Sequence, residues 1–343
     1  MATIKDVAER AGVSITTVSH VINRTRYVSE ELTQKVYDAM RAMNYRPNIL
    51  ARSLRSGRSR TIGLIIPDIS NPFFAEISRK IEDKGFEFGY NLILCNTDES
   101  PEKEERYVDV LIAKQVDGLI FISAGDSGGF QKNPYRDDIP VVIADREVEG
   151  IESDVVLIDN FNGGFKAAEY LVSLNHNRIG CISGPSPIRP SAQRVEGYRS
   201  ALTAAGISFD PGLIQVGDFR FEGGENGMAA LLDLADPPTA VFACNDMMAL
   251  GAMRVIKNAG LRVPEDISLI GFDNTPLASL VFPQLTTISQ PIQAMADLSV
   301  ELLIEKIELK KERKHNKNLE PEFKRIVLDP DLIVRGSTLA LRS

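Results

Sequence analysis

The stretch that decides the fold is Ala11-Gly12-Val13-Ser14-Ile15-Thr16-Thr17-Val18-Ser19-His20. It reads as a break, a cap and the start of a second helix. Gly12 can adopt the left-handed conformation that ends a helix. The Ser14 hydroxyl can accept a hydrogen bond from the N–H groups that open the next one. Upstream, Ile4, Val7, Ala8 and Ala11 recur at spacings of three and four, one apolar helical face. Thr3 is placed to cap that helix, and Asp6 falls in its first turn, where the helix dipole favours negative charge. Downstream, Val18 and Ile22 supply an inward face, which leaves Ile15, Thr16, Thr17 and His20 elsewhere on the helix. A third helix starts at Ser29-Glu30-Glu31 and offers Leu32, Val36, Ala39, Met40 and Met43 to the same core. Three short helices around a tight Gly turn are the helix-turn-helix pattern of DNA-binding proteins.

Charge separates this reading from that of a plain helical bundle. Residues 1–60 carry eleven Lys and Arg against five Asp and Glu, a net of +6, whereas the whole chain is −8 and the remainder therefore −14. A basic arm on an acidic body is the electrostatic footprint of a nucleic-acid binder.

The wording Ala2-Thr3-Ile4-Lys5-Asp6-Val7-Ala8, Ala11-Gly12-Val13-Ser14 and Thr17-Val18-Ser19-His20-Val21-Ile22-Asn23 resembles the headpiece of the lactose-repressor/galactose-repressor family. The match continues through Asn44-Tyr45-Arg46-Pro47-Asn48 and Ala51-Arg52-Ser53-Leu54, then more loosely to the C-terminus. Within that family the wording is most similar to the ribose- and purine-responsive branches. The resemblance implies a homodimer on palindromic operator DNA. Ile15, Thr16 and His20 are expected at base edges, with Thr17 at bases or backbone. Ser14, Asn23, Arg26 and Tyr45 are expected at phosphates, and Thr3 and Arg55 complete the DNA-facing set. Tyr45-Arg46-Pro47 ends the third helix, because Pro disfavours helix in the residue before it. Residues 48–56 are too short to be stable alone as a helix, so a hinge that folds on DNA is expected, with Leu54 wedged into the minor groove.

At 343 residues the chain should hold two or three domains. Apolar and charged fractions of 43% and 25% suit a soluble globular protein. No apolar run approaches the ~20 residues of a membrane span. The N-terminus has no apolar signal region, so a cytoplasmic protein is expected. Cys95, Cys181 and Cys244 are far apart and read as buried reduced thiols, and three scattered His give no metal cluster. No metal or cofactor is expected.

From Thr61 the rhythm changes to alternating strand and helix. Thr61–Pro67, Asn91–Cys95, Gly118–Ser123 and Pro140–Ala144 read as buried strands, with helices over Pro72–Gly89 and Pro101–Gln115. The alternation repeats after Asp159, with helices over Asn162–Leu174, Ser191–Ala205, Gly224–Leu234 and Asp246–Ala259. The strands there are Arg178–Ser183, a stretch near Ile214–Val216, Thr239–Cys244, Ile267–Phe272 and Leu285–Ser289, where the chain crosses back. This is α/β order. Together with the resemblance it implies a headpiece and hinge followed by a two-lobed, periplasmic-binding-protein-like core of doubly wound parallel sheets. The expected boundaries are 1–46 for the headpiece and 47–60 for the hinge and linker. The first lobe is 61–160 plus 291–323 and the second 161–290 plus 324–343. The charged run Lys310–Lys317 is expected as a solvated loop closing a helix of about residues 291–311. Neither G-x-G-x-x-G nor G-x-x-x-x-G-K-[ST] occurs, and no G-x-S-x-G elbow, so nucleotide-cofactor enzymes and hydrolases are poorly supported. The pieces Gly128-Gly129, Gly163-Gly164 and Gly223-Gly224 read instead as turns and helix starts.

In open α/β sheets ligands sit beyond the C-terminal strand ends. The residues found there are Asn71, Phe73, Phe74, Asp145, Arg146, Arg194, Phe219, Asn245, Asp273 and Gln290. A sugar has two apolar ring faces and a rim of hydroxyls, each of which donates and accepts. Phe73, Phe74 and Phe219 suit the faces, and the polar seven suit the rim. The carboxylates are interleaved with Arg and Asn, which suits binding better than acid–base catalysis. The resemblance sharpens the expectation, since these residue types match the contact set of ribose-binding proteins of the two-lobed fold. D-ribose acting as inducer is expected, with a purine corepressor or another sugar as the alternative, and a solute-binding protein or sugar enzyme as the alternative of a different class.

Overall fold

The computed structural model describes residues 2–23, 25–45, 58–123, 139–148, 150–186, 188–315 and 322–341. Residues Met1–Ser59 and Arg60–Ser343 form two separate compact units. In the first, Thr3 closes a capping box at the start of α1 (Ile4–Ala11): its hydroxyl accepts from Asp6 N–H (3.4 Å) and the Asp6 carboxylate accepts from Thr3 N–H (2.8 Å). Gly12 ends α1 with φ 66°. The Ser14 hydroxyl accepts from Thr17 N–H at 3.0 Å and opens α2 (Ile15–Asn23). Ser29 caps α3 (Glu30–Ala42). Val7, Ala8, Val18, Val21, Val36 and Ala39 form the small core. Val21 rather than Ile22 is the fully buried partner of Val18, and Ile22 packs at the rim. The hinge stretch 48–56, with Leu54 and Arg55, lies outside the described residues.

The second unit is built from two sheets with one plan. The first lobe holds β1 (Thr61–Ile66), β2 (Asn91–Asn96), β3 (Gly118–Phe121), β4 (Val141–Ala144) and β5 (Asp154–Ile158). Its helices are α4 (Pro72–Glu87) and α5 (Pro101–Ala113). The second holds β6 (Ile179–Ser183), β7 (Ile214–Val216), β8 (Ala240–Ala243), β9 (Ser268–Asp273) and β10 (Thr286–Ser289). Its helices are α6 (Asn160–Ser173), α7 (Arg189–Ala204), α8 (Phe221–Leu232), α9 (Asp246–Asn258) and α10 (Pro276–Leu280). After a return to the first lobe in α11 (Ile292–His315), the chain ends through β11 (Arg325–Leu328) and β12 (Asp331–Ile333). The strand orders are β11-β5-β4-β3-β1-β2 and β12-β10-β9-β8-β6-β7, parallel except for β12 against β10. Each is a doubly wound sheet whose order reverses between its first and third strands, and a ligand crevice belongs at that reversal. Among the described residues no helix is long and apolar enough to cross a membrane.

Three expectations need correction. β5 was not anticipated, although Asp154–Ile158 is fully buried and pairs β4 and β11. The second-lobe boundary at 324 is misplaced. β11 pairs β5, Arg325 opposite Val155, so residues 325–328 extend the first sheet and the chain crosses at 329–330. β11 is an edge strand of four residues with alternating exposure, and its short Ile326-Val327-Leu328 run does not stand out as a buried strand. Finally, α11 runs to His315 rather than closing near 311, because Lys, Glu and Arg are good helix formers that need no buried face.

Two of the glycine pairs are packing devices, and Gly128-Gly129 lies outside the described residues. Gly163, Gly164, Gly223 and Gly224 lie in the first turns of α6 and α8. A Cβ on Gly164 would overlap the carbonyl of Arg194 in α7, and one on Gly197 of α7 would overlap the carbonyl of Phe161 in α6. The pair α8–α9 repeats the arrangement, Gly224 against Met248 and Gly251 against Phe221. These helices therefore meet backbone to backbone. Replacing a mid-helix Gly by Ala ordinarily gains up to about 1 kcal/mol. Here the overlap wins. Gly197→Ala should destabilise the second lobe by about 2 kcal/mol, read as a lower urea midpoint for the protein. An unchanged or raised midpoint would contradict the close approach.

Candidate functional site

All ten strand-end residues come together. Asn71, Phe73, Phe74, Asp145, Arg146, Arg194, Phe219, Asn245, Asp273 and Gln290 line one narrow cleft between the lobes, with a cavity of only about 20 Å3, joined by Ile188 and Pro190. Phe73 and Phe74 meet edge to face at 5.0 Å. Phe219 approaches from the other lobe, its ring seated over Gly184, where any side chain would collide with it.

The backbone is bent to aim these groups. Asp145, Phe219 and Asp273 have φ of 62°, 64° and 115°, a region uncommon for residues other than Gly. Arg146 N–H donates back to the Ala144 carbonyl at 2.7 Å, so Asp145 sits at the centre of a three-residue γ-turn. Strain of this kind costs of order 1–3 kcal/mol per residue and persists only where surrounding structure over-determines it. Three such residues in one cleft mark a place where side-chain direction matters more than local stability.

The charges are fixed from behind. Arg194 donates through Nε to Asn160 Oδ1 (2.8 Å) and through Nη1 to the Cys244 carbonyl (2.5 Å), and lies 3.6 Å from the Phe272 ring centroid. Arg146 donates to the Ser123 carbonyl at 3.1 Å and lies over Phe74. Asp145 and Asp273 stand 3.7 and 3.8 Å from Arg146 and Arg194. At that separation the pairs attract without a hydrogen bond, so the carboxylates keep acceptor capacity. Gln290 Nε2 donates to Asp273 Oδ1 at 2.7 Å. Among the described residues, Asp145 Oδ1 and Gln290 Oε1 are buried with no hydrogen-bond partner. A buried acceptor without a donor is costly, and a ligand with several O–H groups would relieve both.

The two Asn residues behave differently from the rest. Asn71 Oδ1 caps α4 through Phe73 N–H. Asn245 Oδ1 caps α9 through Met248 N–H while its Nδ2 holds the Phe219 carbonyl at 2.8 Å. Asn245 thus positions Phe219 more than it offers free donors to the cleft. Ile188 and Pro190 escaped the sequence reading because they follow no strand end directly. Phe272, near the end of β9, was within reach of the same strand-end rule, whereas Asn160 follows β5, a strand the sequence did not reveal.

In the headpiece, Ile15 is 45% exposed and Thr16 is exposed at the start of α2. Ser14 is exposed, and its hydroxyl lies 2.9 Å from that of Thr17, which is partly buried. His20 Nδ1 lies 2.7 Å from the Thr25 hydroxyl. Arg26 is exposed. Asn23 folds back, Nδ2 donating to the Ser19 carbonyl at 2.9 Å. Thr3 is exposed with its hydroxyl engaged in the cap, and Tyr45 packs on the helical core. Tyr27, overlooked in the sequence, is 92% exposed beside Arg26.

Residues 3–48 match bacterial regulatory proteins of the lacI family, and residues 168–338 match a periplasmic binding protein-like domain. The chain is 40% identical to the HTH-type transcriptional regulator DegA of Bacillus subtilis (strain 168), covering 99% of each. It is also 40% identical to the ribose operon repressor of Escherichia coli (strain K12), covering 98% of this chain and all of that one. The chain belongs to the lacI family of bacterial regulatory proteins. Among solved structures of the fold, the lac repressor dimer bound to operator and an anti-inducer superposes with TM-score 0.84, at 30% identity and 99% coverage of both chains. A lacI-family regulator from Enterococcus faecium with bound ribose superposes with TM-score 0.72, at 36% identity, over 82% of this chain and all of that one.

Membership gives the cleft its place in a DNA-binding regulator, and its electrostatics give a test. Burial pushes the Asp145 carboxyl up, against the pull of Arg146 and Arg194. Burial likewise raises Asp273 well above its ordinary value, against Arg194 and Gln290. Hydroxyl donors from a ligand favour the ionised carboxylates, so their values fall on binding and protons are released. The binding energy linked to this release is fully present above the raised values of the free protein, and is lost as pH falls through them. Affinity for a polyhydroxyl ligand should therefore be stronger at pH 8 than at pH 5 in calorimetric titrations, with proton release visible as a dependence on buffer ionisation heat. The reverse trend would show that the ligand takes the protonated acids.

Proposed function

We propose that this protein is a transcriptional repressor of the cytoplasm that binds a palindromic operator as a homodimer and releases it when D-ribose occupies the cleft. The observation that carries the ligand is the juxtaposition of three Phe rings with buried, unsatisfied acceptors on Asp145 and Gln290. A pentose fills that description: apolar ring faces for Phe73, Phe74 and Phe219, and hydroxyls for Asp145, Asp273, Arg146, Arg194, Gln290 and Asn71. The names of the ribose operon repressor and of the ribose-bound regulator support the same choice. In this reading the cleft binds its sugar and does no chemistry on it.

On the DNA side, exposed Ile15 offers an apolar contact suited to a thymine methyl. Thr16 and His20 read neighbouring base edges, and Ser14, Thr17, Asn23, Arg26, Tyr45 and Arg55 position the headpiece. Residues 1–46 act as the reading head. Residues 47–60 fold on DNA with Leu54 in the minor groove. Sugar binding respaces the two hinges of a dimer. Linkage requires that a sugar which weakens operator binding is itself bound less well when operator is present.

Calorimetric titration with D-ribose, alongside hypoxanthine and guanine, decides the ligand. Micromolar ribose binding and silence with purines are expected, and ribose should be recovered chemically unchanged. Asp273→Ala and Arg194→Ala should each weaken ribose at least about thirtyfold, since each strands a buried charge. Purine binding would overturn ribose and make the ligand a corepressor. Operator affinity should fall steeply with salt, and Ile15→Ala should weaken it about fivefold or more. A flat salt profile or an unaffected Ile15→Ala variant would remove α2 from the groove.

A further inference from the structure

Among the described residues, two ion pairs join the lobes next to the cleft, each anchored beside one of its residues. Glu147, beside Arg146 in the first lobe, receives Arg189 of the second at 2.7 Å, and Arg189 stands between the cleft residues Ile188 and Pro190. Asp68, three residues before Asn71 in the first lobe, faces Arg220 at 3.7 Å, and Arg220 follows Phe219. Both pairs have the same polarity, the acid on the first lobe and the cation on the second.

Each acid is held ready by its own lobe. Glu147 also takes Arg325 of β11 at 3.2 Å. Asp68 Oδ1 accepts from Ser70 N–H (2.9 Å) and from the Ser70 hydroxyl (2.6 Å), which leaves Oδ2 for Arg220. Asp98 and Glu99, also of the first lobe, add negative potential around Arg220. The two cations are about half exposed, their acids much less so. A side opening lined by Glu147, Arg189, Gln193 and Arg325 reaches Asp145, so the first pair stands across a way into the cleft.

We propose that Glu147–Arg189 and Asp68–Arg220 are latches that hold the lobes closed over the cleft and set how long a ligand stays. The proposal rests on the reading of the cleft as the effector site. The latches touch no ligand. They act on the equilibrium between open and closed lobes, and apparent affinity scales with the closed fraction. The consequence is unusual for a neutral sugar: its binding should weaken with salt, because the pairs that close over it are screened. Exposed pairs are individually weak, so each latch is worth only a few-fold.

The test uses the full-length protein with Arg189→Gln, Arg220→Gln, the double variant and Arg189→Lys. Both arginines lie outside the cleft lining. In the wild type, D-ribose affinity should fall and dissociation quicken as NaCl rises. The double variant should bind about tenfold more weakly, mainly through faster dissociation, and lose the salt dependence. Arg189→Lys should keep most of the wild-type behaviour. A salt-independent wild type with an unaltered double variant overturns the latches. Should the wild type ignore ribose altogether, the ribose reading falls, and hydrogen exchange of ligand-free protein decides the latches. Exchange over residues 143–148 and 217–222 that is faster in the double variant supports them, and equal exchange overturns them.

Discussion

The structure depends on keeping two carboxylates and two guanidiniums buried together in one cleft. Ionised groups taken out of water are costly unless paired and hydrogen-bonded. The protein meets this cost from the scaffold side: Arg194 is held by Asn160, the Cys244 carbonyl and the Phe272 ring, and Arg146 by the Ser123 carbonyl. With the cations committed to the protein, Asp145 is left near positive charge with Oδ1 short of a donor, while Gln290 donates to Asp273 and keeps its own Oε1 unsatisfied. That imbalance is what a hydroxyl-rich ligand can complete. A cleft with saturated acids would have no such preference.

This arrangement sets demands on elements far from it. Asp145, Phe219 and Asp273 must leave their strands with positive φ, which only rigid sheets can enforce. The sheets are covered by helix pairs that meet through Gly164 and Gly197, and through Gly224 and Gly251. That close approach fixes where α7 carries Arg194 and where α9 begins at Asn245. The glycines are thus part of the recognition chemistry, although no Gly pair contributes a polar side chain to the cleft.

Much of this was legible in the sequence because it is written in local rules. The Thr3 box, the Gly12 break and the Ser14 cap are short-range signals, and buried parallel strands show as apolar runs. Combined with the strand-end rule, these runs placed all ten cleft residues. What escaped depends on pairing between distant segments. β11 is only four residues long, Arg325-Ile326-Val327-Leu328, too short a signal by itself, and its strand identity comes from pairing β5. Asn160 matters through Arg194, a contact between residues 34 apart in sequence, and the inter-lobe pairs join residues farther apart still. The double role of Asn245, helix cap and holder of Phe219, could not be read from its position, since a cap and a ligand contact look alike there.

The chain passes between the lobes three times, after β5, after β10 and between β11 and β12. A single tether would leave two rigid bodies free to swing and twist. Three tethers side by side behave like the pins of a door hinge, removing most rotations and leaving one dominant bend. Motion confined to one coordinate makes an economical signal, because whatever closes the cleft on one side must displace the far edges of both lobes together.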